Sequence, residues 1–326
     1  MPLLLFFACA PNEATTTSTP SSDPCPADAV ALVDEVPHLT LEDAAADAVG
    51  GGTLLLCAGT HEDPLDIRDL LGDLTIGTLS GEPDVELRAR DLDDDPYPAL
   101  YVRSTEGAAV TVRDLTIVEA PEGVVIQGRS VVLEGLVLRQ SLGRNNSKAL
   151  VVSAEEDVLL SQVVVENNTL PDAFGSVVQV RGAEVLVQGS TFESNEAPFG
   201  ALGLFWLNEG AEVVIETSDF VGNVGSGIGW IHDYADTTLT LRDVRLIGTS
   251  GPAVRADSWG KVYIDGGVIE ANAGGYAIET EKGVDVEGVA VSISDNDRGL
   301  IAGYDCERYD EGVVSFYYSG SYEMCL

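Results

Sequence analysis

The sequence predicts an all-β solenoid, in which short strands form coils that stack on one another. A unit of about eleven positions recurs eight times, and successive copies start about 21 to 28 residues apart, a period typical of repeat architectures. In every copy the first, third and eighth positions are apolar and the fourth is polar, which indicates strands with one buried face. The copies begin at Val110, Val131, Val158, Val185, Val213, Leu239, Val262 and Val284.

The fifth position of each copy predicts a sharp bend. It is Gly in four copies and Asp in two, for example Gly135 and Asp114, and both residue types tolerate the left-handed conformation that such a bend needs. The apolar eighth position then lies on a second strand. A third strand follows and is usually opened by Gly, as at Gly123, Gly175 and Gly275.

The eleventh position predicts a buried ladder of polar side chains. Stacked copies of such a position would bring their amides and hydroxyls together, so that each bonds to the coils above and below. The predicted ladder residues are Ser141, Asn168, Asn195, Asn223, Thr249, Asn272 and Ser294.

Three short strands per coil, a constant bend and an Asn ladder together resemble the right-handed parallel β-helix of the pectin-lyase-like superfamily. The resemblance covers residues 40–303 and implies about ten coils. Residues 40–50 predict a short helix that starts after the N-cap Thr40 and ends at Gly50, similar to the helix that closes the first coil in this superfamily. A β-propeller is not expected, because each of its blades needs about 40 residues and the coils here are shorter. A leucine-rich-repeat fold is not expected either, because its consensus sequence is missing.

Charge and length restrict the partners and the domain organisation. The 326 residues contain 17 Lys and Arg against 54 Asp and Glu, a net charge of −37, which argues against binding nucleic acid. We expect one β-helix domain over residues 25–303, a capping segment over residues 304–326, and a monomer.

The N-terminus resembles the end of a bacterial lipoprotein signal. An apolar run, residues 1–8, precedes Cys9, which the resemblance makes the lipidated residue, although a Lys/Arg region before the run is missing. Residues 10–24 are rich in Ser, Thr and Pro and predict a disordered tether. The expectation is a lipid-anchored protein of the bacterial envelope, at the outer membrane or cell surface; the alternative is a disordered apolar N-terminus.

Four cysteines remain once Cys9 is set aside, which allows three disulfide connectivities. We favour Cys25–Cys57, which would attach the N-terminal segment to the first coil, and Cys306–Cys325, which would close the C-terminal segment. Both imply an oxidising compartment. No Cys-x-x-Cys or Cys/His cluster occurs, so a structural zinc site is not expected.

Three tryptophans predict a ligand-binding stripe. Trp206, Trp230 and Trp259 fall on consecutive coils, with Asn208 and Tyr234 close by in sequence. Aromatic faces beside amides and hydroxyls suit sugar rings, so a polysaccharide or cell-surface glycan is the expected partner. The alternative is that the rings pack inside the coils or brace turns.

Catalytic motifs are incomplete. Enzymes of the superfamily are mostly polysaccharide lyases and hydrolases, and pectate lyases carry Trp-Ile-Asp-His. Here residues 230–233 read Trp-Ile-His-Asp, and no Arg-rich segment is present. If the chain is an enzyme, His232 and Asp233 are the expected acid and base, with Asp257 as a second carboxylate; a structural His–Asp contact is the alternative.

The leading functional hypothesis is a non-catalytic, envelope-anchored scaffold that binds carbohydrate or acts as an adhesive surface protein. A divergent polysaccharide lyase or glycoside hydrolase, and a purely structural envelope protein, are the alternatives. We expect no cofactor and no bound metal; Ca²⁺ is left open, although no Ca²⁺-loop pattern occurs.

Overall fold

A computed structural model describes residues 25–26, 28–79, 85–88, 97–120, 122–141, 148–170, 176–197, 205–208, 212–231, 238–257, 260–280, 284–303, 306–308, 312–319 and 324–325. For residues 208, 230–231, 257, 303, 306–308, 319 and 324–325 it describes the backbone. The predicted signal segment with Cys9 and the predicted tether, residues 10–24, lie outside the described residues. No helix in the described ranges is long and apolar enough to span a membrane.

The N-terminal elements close the first coil. They are β1 (Ala31–Val33), β2 (Val36–His38), α1 (Leu41–Asp47) and a 3₁₀ turn, Ala48–Gly50. The Thr40 side chain accepts a hydrogen bond from the Asp43 backbone N–H at 3.1 Å, as the N-cap prediction requires. Leu41 and two alanines of α1 are buried, so the helix covers the end of the core and the predicted capping helix is confirmed.

Ten coils follow, two irregular N-terminal ones and eight that carry the sequence repeat. Their strands are β3 (Gly52–Leu56), β4 (Gly59–His61) and β5 (Leu65–Leu70); β6 (Leu74–Thr78), β7 (Val85–Leu87) and β8 (Pro98–Ser104); β9 (Val110–Arg113), β10 (Thr116–Val118) and β11 (Glu122–Gly128); β12 (Val131–Glu134), β13 (Val137–Arg139) and β14 (Leu150–Ala154); β15 (Asp157–Ser161), β16 (Val164–Glu166) and β17 (Val178–Arg181); β18 (Glu184–Gln188), β19 (Thr191–Glu193) and β20 (Phe205–Asn208); β21 (Glu212–Glu216), β22 (Asp219–Val221) and β23 (Ile228–Ile231); β24 (Thr238–Arg242), β25 (Arg245–Ile247) and β26 (Val254–Asp257); β27 (Gly260–Asp265), β28 (Val268–Glu270) and β29 (Ile278–Thr280); β30 (Val284–Ser294) and β31 (Ile301–Gly303).

Equivalent strands of successive coils pair in parallel and form three sheets along the solenoid. We call them the first, second and third sheet, after the order of the strands within a coil. Antiparallel pairs occur at the two ends, where β1 pairs with β3, β31 with β32 (Cys306–Arg308), and β30 with β33 (Gly312–Ser319). A last strand, β34 (Met324–Cys325), pairs with β33. The parallel β-helix predicted from the repeat is therefore confirmed.

The predicted repeat positions are in register for seven copies. Val110 pairs with Val131 and Val213 with Leu239, both at the first position, and Phe192 pairs with Phe220 at the eighth. The fifth position has a left-handed backbone even at Thr217, whose φ is 49°. The fold therefore requires a left-handed backbone at the fifth position whatever residue occupies it. Gly and Asp adopt this conformation at the lowest free-energy cost.

The eighth copy begins at Val286, not at Val284 as predicted. Val262 pairs with Val286, and Ile269 pairs with Ile293. The true start puts Val289 at the polar fourth position, where a start at Val284 puts Glu287, so the sequence pattern favours the wrong start. The shift places Gly288 at the third position, facing the core, where the Phe316 ring from β33 lies against it and leaves no room for a Cβ. The bend falls on Ala290 (φ 54°) rather than on Gly288.

The third strands start later than predicted in some coils. The strands predicted from Gly175 and from Gly275 begin at Val178 and Ile278. Gly275 lies in the turn before its strand, where an added Cβ would be 2.7 Å from the Pro252 nitrogen. This glycine therefore allows close approach between coils rather than opening a strand.

Buried amides connect successive coils at the eleventh position. The Asn195 Oδ1 atom accepts hydrogen bonds from the Asn168 backbone N–H (3.1 Å) and Nδ2 (2.9 Å). Its Nδ2 atom donates to the Val165 carbonyl (2.8 Å) of the coil before. The same backbone N–H to Oδ1 bond joins Ser141 to Asn168, Asn195 to Asn223, and Thr249 to Asn272.

The last ladder residue is Asn296, and the prediction of Ser294 requires correction. Asn296 Oδ1 accepts from the Asn272 Nδ2 atom at 2.7 Å, whereas Ser294 pairs with Glu270 within the second sheet. The cause is the two-residue shift of the last copy. Hydroxyls form a shorter second ladder, in which Ser190 Oγ accepts from the Val163 N–H and Ser218 Oγ from the Ser190 N–H.

The interior of the coils is filled by apolar side chains of the three sheets. Phe192 and Phe220 stack with ring centroids 4.6 Å apart, and Phe205 of the third sheet meets Phe192 edge-on at 5.0 Å. This cluster lies in the middle of the solenoid and joins the second sheet to the third.

The Cys25–Cys57 disulfide is present and joins the N-terminal segment to the end of β3, which confirms this prediction. Cys306 and Cys325 lie on β32 and β34. These two strands are neighbours at the C-terminal end. Their pairing stays a prediction.

We predict that Asn195→Ala lowers the free energy of unfolding by about 2–4 kcal/mol, because it leaves the Asn168 N–H and the Val165 carbonyl buried without partners. Ser141→Ala is the matched control. The Ser141 hydroxyl is buried and has no hydrogen-bond partner among the described residues, so its loss should change stability by less than about 0.5 kcal/mol. Urea denaturation followed by circular dichroism measures both, and equal losses would contradict the role of the ladder.

Candidate functional site

The outer side of the third sheet carries two rows of residue positions that the strand register aligns. Outer row 1 runs through Asp66, Tyr101, Val125, Val151, Gln179, Trp206, Gly229, Arg255, Glu279 and Ala302. Outer row 2 runs through Arg103, Gln127, Ser153, Arg181, Asn208, Ile231 and Asp257. Between these rows, residues such as Val102, Ile126 and Val152 are buried and face the core.

An open groove of about 530 Å³ follows the N-terminal half of outer row 2. Arg103, Gln127, Ser153 and Arg181 line it, one from each of four successive strands. Parallel strands repeat about every 4.8 Å, so these groups form a linear array along the solenoid axis. Such an array offers hydrogen-bond donors and acceptors at a regular spacing.

The groove carries an arginine at each end, in a strongly acidic protein. Arg103 and Arg181 are exposed at its two ends, and Glu155 is the carboxylate among its lining residues. Gln127 and Ser153 between the arginines are half-buried. Arginine presents planar N–H donors that bind pairs of oxygen atoms, so the groove is suited to a ligand rich in hydroxyl or carboxylate oxygens.

A second cleft of about 690 Å³ lies at the N-terminal end of the third sheet, between this sheet and α1. There Arg68 donates to the Asp66 carboxylate at 3.0 Å, and the Tyr97 hydroxyl also donates to Asp66. The Arg68 guanidinium lies 5.7 Å and 5.4 Å from the ring centroids of Tyr97 and Tyr101. These ring faces are therefore already occupied by a cation, and the cluster anchors residue 97 to β5.

Burial raises the pKa of the Tyr97 phenol above its ordinary value of 10.0, and the hydrogen bond to the Asp66 carboxylate raises it further. The nearby Arg68 cation acts in the opposite direction, because it favours the phenolate.

The strand register places two of the three tryptophans of the predicted ligand-binding stripe in different rows. Trp206 lies in outer row 1 beside Gly229, whereas Trp230 pairs with Leu207 and Ala256, which are buried. Neighbouring positions of a strand face opposite sides of a sheet, so Trp206 and Trp230 do not share one row. Trp206 is half-buried, and its indole N–H is buried without a hydrogen-bond partner in the described part of the chain.

Two other predicted residues share outer row 2. Asn208 pairs with Arg181, and Asp257 lies two strands further along the same row; the structure describes the backbone at both. Trp259, His232, Asp233 and Tyr234 lie outside the described residues, so the predicted acid–base pair and the third tryptophan stay predictions. Within the described ranges, no group of three or more His, Cys, Asp or Glu side chains is placed to hold a metal ion.

Sequence reasoning missed Arg103, Gln127, Ser153 and Arg181. Their signal is weak, because the third strand follows turns of variable length and its residues do not align at a fixed distance from the start of each copy. The register of the third strands instead aligns Leu100, Val124, Leu150 and Val178. The four groove residues then all fall three positions later.

A family model agrees with the fold. The family described as "Right handed beta helix region" matches residues 99–291. Among solved structures, PfbA, a surface adhesin of Streptococcus pneumoniae, is 10% identical, with a TM-score of 0.42 over 87% of this chain and 93% of that one. The A-module of the Azotobacter vinelandii mannuronan C-5 epimerase AlgE4 is 15% identical, with a TM-score of 0.30 over 84% and 93%. No curated protein matches the chain.

We predict that Tyr97 ionises above pH 10.0 in the folded protein. Because the folded pKa is raised, the stability that the phenol form contributes is present below the unfolded pKa and is lost as pH rises through the folded one. The difference in phenolate absorbance between the wild type and Tyr97→Phe measures this titration. Asp66→Asn should shift the midpoint to lower pH, since it removes a negative neighbour; an unchanged midpoint would contradict the contact.

Proposed function

The chain belongs to the family of right-handed β-helix regions, and we propose that it is a non-catalytic scaffold that binds carbohydrate. The binding site in this proposal is the groove on outer row 2 of the third sheet. The supporting observation is the in-register array of Arg103, Gln127, Ser153 and Arg181 along that groove.

A repeating ligand suits a repeating site. A polysaccharide presents hydroxyl and ring oxygens at regular intervals, and an array of donors on successive coils meets several sugar units with the same geometry. The groove is open and polar, which is typical of sites that hold an extended chain along its length rather than enclose a small molecule. Trp206 and Asn208 lie on the next coil and extend the site toward the middle of the solenoid.

The sequence outside the described residues fits a role at a cell surface. In this proposal, lipidation at Cys9 anchors the protein to the bacterial envelope, and residues 10–24 hold the solenoid away from the membrane. The Cys25–Cys57 disulfide is consistent with an oxidising compartment. The protein then acts as a monomer that attaches the cell to a glycan.

A divergent polysaccharide lyase or glycoside hydrolase is the second candidate. One observation favours it: Asp257 shares outer row 2 with the groove residues, so a carboxylate position lies along the path of a bound chain. His232 and Asp233 would supply the acid and base in that case.

We predict that residues 25–326 bind a polysaccharide and that Arg103→Ala combined with Gln127→Ala weakens binding by about 10- to 100-fold, because each hydrogen bond to a charged donor contributes about 1.5–3 kcal/mol. Affinity electrophoresis against neutral, pectic and alginate-type polymers, with and without Ca²⁺, measures the affinity of the wild type and of this double variant. Reducing-end release is followed in parallel.

The matched control is Arg242→Ala combined with Gln188→Ala, which changes the same residue types on the outer side of the first sheet. Equal weakening by both pairs would contradict the groove as the site. Product release that disappears in His232→Ala would favour the enzyme, and a folded protein that binds no polymer in the panel would favour the purely structural alternative.

A further inference from the structure

The outer side of the first sheet carries an apolar stripe that nothing in the described structure covers. It consists of Val132, Leu159, Leu186 and Val214, which pair in register on four successive strands. All four are half-buried, and they alternate along their strands with core residues. The last three line a shallow groove of about 490 Å³, on a different sheet from the carbohydrate site proposed above.

One side of this stripe is a row of carboxylates, which we call the acidic flank. Asp157, Glu184 and Glu212 pair in register and are exposed. No ion pair joins them to a cation among the described residues. Like charges on adjacent strands repel, and the strand spacing of about 4.8 Å brings them close. A cationic partner would relieve this repulsion.

The opposite side of the stripe differs in charge and burial. Ser161, Gln188 and Glu216 are half-buried there, and Glu216 pairs with Arg242 at 3.7 Å. The stripe is therefore asymmetric, with unpaired negative charge along one edge and largely neutralised groups along the other. A complementary partner needs an apolar face with positive charge along one border.

The backbone of this surface excludes an added strand. The stripe lies on the face of the sheet, where the peptide groups are already paired between coils, so a partner must dock through its side chains. In an α-helix that lies along the solenoid axis, residues on one face recur about every 5.4 Å. This is close to the spacing of about 4.8 Å between strands, so one helical turn meets each coil.

We propose that this surface binds a basic amphipathic helix of another protein. Leucine-type residues at i, i+3, i+4 and i+7 of that helix contact the apolar stripe, and Lys or Arg along one border contact the acidic flank. About four turns cover the four strands of the stripe. A second copy of this chain fits poorly, because it would bring a net charge of −37 against the same carboxylates.

The test uses fluorescence anisotropy with residues 25–326 and a labelled helix of about five turns that has leucines on one face and lysines along one border. A scrambled peptide of the same composition is the control for general attraction to an acidic protein. We expect the amphipathic peptide to bind at least about tenfold more tightly than the scrambled one, and Leu186→Ser to remove about tenfold of that affinity. Circular dichroism verifies that this variant is folded.

Charge-reversal variants distinguish the effect of the acidic flank on peptide binding from the effect of the protein's overall charge. Glu184→Lys should weaken binding of the basic peptide, whereas Glu193→Lys, an exposed site on the second sheet, makes the same change in net charge and should leave binding nearly unchanged. Equal binding of the scrambled peptide, or equal effects of the two reversals, would overturn the proposal. Self-association in sedimentation that is lost in Leu186→Ser would also overturn it, in favour of a second copy.

Discussion

Hydrogen bonding by buried amides across the coils is the interaction on which the rest of this structure depends. Each ladder amide bonds to backbone groups of the coil before it, and Asn195 also accepts a hydrogen bond from the Asn168 side chain. If the register between two coils shifted, a buried amide would lose these partners. Each unpaired group would then lower the free energy of unfolding by about 1–3 kcal/mol. The ladder and the left-handed bends therefore determine which residue of one coil lies above which residue of the next.

This register arranges the outward residues of the repeat into patterned surfaces. Because equivalent strands stack without offset over the middle coils, a residue type repeated at one strand position becomes a continuous row outside. Polar groups such as Gln127 and Ser153 then line a groove on the third sheet. Apolar ones such as Leu159 and Leu186 form a stripe on the first sheet. In our two proposals, one scaffold binds two kinds of partner on separate faces.

The sequence predicts the core better than the surface. Inward positions such as those of Val213 and Phe220 repeat because the interior admits only apolar side chains, and so the fold and most of the ladder follow from the pattern. The last copy is misplaced by two residues because a start at Val284 fits the apolar and polar positions better than the true start, Val286, which puts Val289 at the polar fourth position. Two contacts mark the true start: Phe316, which is distant in sequence, lies against Gly288, and Asn296 accepts the ladder hydrogen bond from Asn272. The groove and the separation of Trp206 from Trp230 depend on where each third strand begins, which the variable turns conceal.

Disulfide trapping across the groove tests the register most directly. Gln127 and Ser153 pair in adjacent strands, so cysteines at both positions lie about 4.8 Å apart between Cα atoms, within the range of a disulfide. Gln127→Cys with Val151→Cys is the offset pair, because Val151 lies on the same outer side two residues earlier. The structure predicts rapid oxidation of the first pair and little of the second. Preferential cross-linking of the offset pair would show that the coils stack in a different register and that the groove does not exist as described.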